Sequence, residues 1–125
     1  MPVITETNNL GDLLKYEAPN LYSRDQITVG AGQNLPLGTV LGIVTATGKA
    51  AALDPVAADG SEVAAGVLGI AVDATLIDRD DGLLIARHAI VSDVALVWPA
   101  GITPEQQAAA QAELKGLGIL IRKGV

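Results

Sequence analysis

The chain has 125 residues, a mass of 12.7 kDa and a formal charge of −6, with eight basic and fourteen acidic side chains, no Cys, no Phe and one His. That length supports one domain with about two thirds of its surface buried, and an acidic chain with 2% aromatic residues lacks both the cationic surface and the stacking platforms of a nucleic-acid binder. Without Cys there is no disulfide, thiolate nucleophile or zinc–thiolate centre, and there is no apolar run of membrane-spanning length.

Residues 1–24 are polar, and their apolar side chains fall in two clusters, Val3 with Ile4 and Leu10 with Leu13 and Leu14. The acidic Glu6, Asp12 and Glu17 do not suit a signal peptide, so the reading is of a soluble protein. Gly11 works against a helix, and Pro19 pushes Ala18 toward extended geometry. The stretch reads as an extended, mobile arm, either a frayed end or one that orders on a partner.

Residues 25–125 read as a single β-rich domain. Residues 27–29 lead into a turn-rich stretch holding Gly30, Gly32, Pro36 and Gly38. Residues 39–45, rich in β-branched side chains, and residues 49–53 predict two strands. After a loop with an Asp59-Gly60 turn, residues 64–72 carry no charge and predict a strand covered on both faces. Gly66 and Gly69 within it point to a close backbone approach or a bulge. Residues 78–82 predict a charged turn, residues 83–91 a further strand, and residues 94–98 another that Pro99 stops. One helix is well marked near 104–115: Thr103 is the N-cap, Pro104 the first helical residue, and Gln106 completes a capping box. Ala110, Leu114 and Leu117 form its apolar stripe. Gly116 and Gly118 end it, and residues 119–121 predict a closing strand. The fold class is mainly β with one C-terminal helix.

Few residues suggest chemistry. A hydrolase would pair His88 with Ser92 and Asp93, but positions four apart on a strand lie about 13 Å from one another, too far for a hydrogen bond. Asp78, Asp80 and Asp81 lack the alternation and the distant Glu of a calcium loop, and Arg79 offsets their charge, so they read as a solvated hairpin tip. Gly30 and Gly32 lack the third glycine and the following helix of a phosphate-binding loop. Trp98 reads as either a core residue or a subunit contact.

The segments LPLGTVLGIVTATGK, LDPVAADGSEVAAGVLGIAVDAT, RHAIV and LVWPAGIT, followed by an Ala/Gln/Glu helix and GILIR, taken in this order, resemble the lambda-type bacteriophage head decoration proteins. The resemblance runs from about Gly11 to Arg122. It implies a compact β-rich subunit that forms a homotrimer, sits at three-fold positions on the outside of an expanded phage head, and cements the major capsid protein. It further implies a virion or prophage-encoded structural protein made in the bacterial cytoplasm, with no catalytic residues, no cofactor, no metal, and neither nucleic acid nor membrane as partner. Carried over, residues 5–14 are the capsid-engaging arm, with Thr5, Leu10, Gly11, Asp12, Leu13 and Leu14 as its contacts. Two other readings stay open from the residues alone: a monomeric β module holding a small ligand, and a small hydrolase using His88 and Ser92.

Overall fold

A computed structural model describes residues 9–123. In chain order these form α1 (Leu10–Leu13), β1 (Leu14–Glu17), β2 (Arg24–Val29), β3 (Gln33–Leu35), β4 (Val40–Ile43), β5 (Ala50–Ala52), β6 (Gly66–Leu68) and β7 (Val72–Ala74). β8 (Arg79–Ile85), β9 (Ala89–Ser92), α2 (Pro104–Gly116) and β10 (Ile119–Arg122) follow. The mainly β expectation holds. Five strands close a barrel in the order β2-β5-β4-β6-β8, β3 pairs with β7, and β1 and β10 flank β9 in a separate three-stranded sheet.

The two layers follow from where the aliphatic side chains fall. The barrel is narrow and holds Val29, Leu41, Ala50, Leu68, Leu84 and Ala86. The three-stranded sheet packs on α2 through Leu13, Val91, Ala110, Leu114 and Ile119, which join Val40, Val67 and Ile85 at the barrel wall. With no Phe to fill space, close backbone approach substitutes for bulk. A side chain at Gly66 would place its Cβ 2.5 Å from the Ile85 carbonyl oxygen, so the approach expected there is real. Gly38, at φ +92°, is likewise pressed against the Ala95 carbonyl.

The barrel has one thin seam. β2 and β5 pair at Val29 and Ala50 alone. The Gln33 side chain reinforces it: its Nε2 donates to the Gly30 and Ala50 carbonyls at 3.3 and 3.4 Å, and its Oε1 accepts the Ala52 N–H at 2.9 Å.

α2 begins as the sequence indicates. The Thr103 hydroxyl accepts the Gln106 N–H and the Gln106 side chain accepts the Thr103 N–H. Ala110 and Leu114 are buried, whereas Leu117 is partly exposed. Glu113 accepts the Ala64 N–H at 3.0 Å and ties the helix to the loop entering β6.

Several boundaries differ from expectation, each for a local reason. The uncharged stretch 64–72 is two strands, β6 in the barrel and β7 beside β3, separated at Gly69 and Ile70. The stretch 83–91 divides at residues 86–88, where His88 adopts φ +48° and turns the chain from the barrel into the second sheet. Residues 78–82 are no free turn: from Arg79 onward they start β8, paired with β2. Residues 94–98 form no strand: Val94 and Ala95 close a 3-10 turn, Asp93–Ala95, and Val97 makes an isolated bridge to Thr39.

The largest difference lies in residues 9–24. Gly11 sits inside the one-turn helix α1, closed by a capping box in which Asn9 accepts the Asp12 N–H and Asp12 accepts the Asn9 N–H. β1 then pairs antiparallel with β9, and Arg24 grips Glu17 through two hydrogen bonds of 2.7 and 2.6 Å. Burial of Leu13 and the pairing with β9 fold this stretch onto the body instead of leaving it extended.

Candidate functional site

The expected capsid-engaging residues fall into distinct environments. Thr5 lies outside the described residues. Leu10 and Leu14 are half-buried, Gly11 and Asp12 are exposed, and Leu13 is wholly enclosed. Lys15 reaches back to the Gly11 carbonyl at 2.9 Å. α1 packs against β9 and the 3-10 turn after it.

His88, Ser92 and Asp93 do not assemble into a nucleophile–base pair. His88 lies before β9, exposed, its ring tilted 55° against Tyr22 at 5.2 Å. Its carbonyl accepts the Ala18 N–H and the Ser23 hydroxyl. Ser92 is wholly buried on β9, and Asp93 opens the 3-10 turn beyond it. Arg87 spans the same corner, donating to the Tyr22 carbonyl and pairing with Asp25; hydrogen bonding to that carboxylate, aided by its charge, raises the Arg87 pKa.

The acidic stretch at 78–81 is held by ion pairs. Asp78 pairs with Lys49 at 2.5 Å and accepts the Ala31 N–H, while Asp81 pairs with Arg79 at 3.0 Å. The Lys49 contact, then the Ala31 N–H, hold Asp78 below the usual carboxylate range. Among the described residues no three His, Asp or Glu side chains gather as a metal site. No helix in that range is long and apolar enough to cross a membrane.

Trp98 is half-buried and packs on the core cluster of α2. Its other side lines an apolar cleft of about 140 Å³ with Leu35, Pro36, Val40, Val97 and Pro99. It thus combines a core contact with a part-open face.

Sequence reasoning missed a larger feature beside β10. A groove of about 400 Å³ runs along this strand between Asp93 and the C-terminal half of α2, lined by Gln111, Lys115, Leu120, Ile121, Arg122 and Lys123. The clustering of three of the eight cations in residues 115–123 was the available signal.

No curated protein matches the chain. A family model does, described as bacteriophage lambda head decoration protein D, and it covers residues 3–119. That span takes in the barrel, β1 and β9 of the three-stranded sheet, the Trp98 segment and α2, and ends at the first residue of β10. A match over nearly the whole chain, on a β-rich fold, places it: this chain belongs to the bacteriophage lambda head decoration protein D family.

Proposed function

We infer that the protein decorates the outside of an expanded phage head, binding as a homotrimer at three-fold positions and holding neighbouring major capsid protein subunits together. The observation that carries this reading is the family match over residues 3–119. The family is one of structural capsid proteins, and decoration requires no chemical step.

The attachment is assigned to the segment that ends at α1. Leu13 and β1 hold its base on the body and Gly11 and Asp12 are exposed; the capsid contact is assigned to these two and to the residues preceding Leu10, Thr5 among them. An extended segment that adds a strand to a neighbouring sheet gains affinity from main-chain hydrogen bonds and needs only a few apolar anchors. Val3 and Ile4 supply them. Three such segments on one trimer raise avidity by about 10²–10⁴-fold when all engage together. Binding to the expanded lattice alone stabilises that lattice by mass action.

The test adds purified protein to undecorated expanded heads and to unexpanded proheads. Saturating, stoichiometric binding to the expanded heads alone is expected, with light scattering giving a trimer mass. A monomer that binds neither particle overturns the reading.

A further inference from the structure

Among the described residues β10 is an edge strand, paired on one side only. The Ala89 N–H donates to the Gly118 carbonyl, and β10 runs parallel to β9 with Ile119 opposite Ala89 and Ile121 opposite Val91. In a parallel ladder alternate residues turn their main-chain groups to the same neighbour. Residues 118, 120 and 122 therefore face β9, and the N–H and C=O groups of Ile119 and Ile121 point away from it; Ile119 is buried, whereas Ile121 is half-buried and Lys123 beyond it exposed. No described strand pairs with that side. An unpaired, partly apolar edge is a template for another chain.

The groove beside this edge is cationic in a chain that is acidic overall. The four ion pairs among the described residues use Arg24, Lys49, Arg79 and Arg87. Of the four remaining cations, Lys115, Arg122 and Lys123 all line the groove, against one carboxylate, Asp93. Leu120, 40% exposed, adds an apolar contact. The position also fits. Leu14 and Ile121 both lie opposite Val91, from its two sides, so β1 begins at the end of the sheet where β10 finishes. The segment assigned above to capsid attachment thus enters the body beside the same end of the sheet.

We propose that the β10 edge is a second capsid contact, which receives an extended, acidic segment of the major capsid protein as an added strand. Main-chain groups of Ile121 pair with that segment, and Lys115, Arg122 and Lys123 meet its carboxylates. The proposal rests on the decoration reading and names the partner's chemistry at a surface distinct from the N-terminal segment.

The experiment compares amide hydrogen exchange of the full chain free in solution with that of the full chain on expanded heads. The Ile121 amide is expected to exchange quickly in the free protein and at least about tenfold more slowly on heads. A double variant, Arg122→Glu with Lys123→Glu, is expected to bind heads about tenfold or more weakly while keeping the parent's oligomer mass and unfolding midpoint. Raising salt is expected to weaken the parent more than the variant. Equal exchange on heads and in solution overturns the proposal, as does parent-like binding by the double variant. Protection already present in the free protein also overturns it, because the edge is then covered by the chain's own residues or by a second copy. If the parent binds heads and only these signatures fail, decoration stands without this contact; if the parent does not bind at all, both fall.

Discussion

Leu13 lies in a polar stretch, and yet none of its surface reaches solvent. One aliphatic side chain in the core cluster of β9 and α2 holds α1 on the body. Leu13→Ala is expected to cost about 2–5 kcal/mol in denaturant unfolding, through lost transfer energy and a residual cavity. His88 marks the other extreme. Its left-handed backbone and its exposure assign it a corner, so His88→Gly is expected to leave stability within about 1 kcal/mol of the parent in the same measurement. Head binding should also be unchanged, an outcome a hydrolytic role for His88 does not predict. The close approach at Gly66 was legible in the sequence, because a glycine weakens a strand interior and is placed there where another backbone must pass near. The turn at His88 was not, since a non-glycine residue with positive φ carries no composition signal.

At the scale of elements, α2 was readable almost to the residue because its start is written in side chains that bond locally. Thr103→Ala removes one of those bonds and is expected to cost about 1 kcal/mol, read as a lower unfolding midpoint with the helix otherwise intact. The strands were legible in place more than in number or extent: β1 and β3 were not foreseen, and residues 94–98 form no strand. Strands of three or four residues carry too few alternations to set their own ends, so tertiary pairing decided where β6 gave way to β7 and where β8 gave way to β9. Connections between strands hold through short polar motifs. The Ser61 hydroxyl and N–H bond Asp59, the Thr75 hydroxyl and N–H bond Asp73, and Lys49 with the Ala31 N–H bonds Asp78; each carboxyl is held below its ordinary range. A carboxyl whose folded pKa lies below the unfolded value of about 3.9 contributes stability that is complete above that value and fades as pH falls through the folded pKa. Thermal melts from pH 6 to pH 2 should therefore show loss of stability below about pH 4. Asp78→Asn should lower the melting temperature at pH 6 and flatten the acid limb.

For the whole molecule, the family was legible from the order of weak segments, whereas the docked base of the N-terminal segment and the β10 groove were not. Both depend on which strands become neighbours across the three-stranded sheet, and residues 14, 91 and 121 share no local pattern. Removing residues 1–8 keeps the Asn9 cap, Leu13 and β1, so the truncated protein should retain its oligomer mass and bind expanded heads at least about tenfold more weakly, with the loss multiplied across the attachments of the trimer proposed above. Parent-like decoration by the truncated protein would move attachment elsewhere.

The seam between β2 and β5 gives the barrel a built-in parting line. With one residue pair and a glutamine amide bridging it, breathing should start there, and Gly30 should be the barrel amide that trades its hydrogen soonest. Gln33→Leu should hasten that opening while leaving the long β2–β8 ladder shut, so the barrel would yield like a cuff unfastened at its clasp.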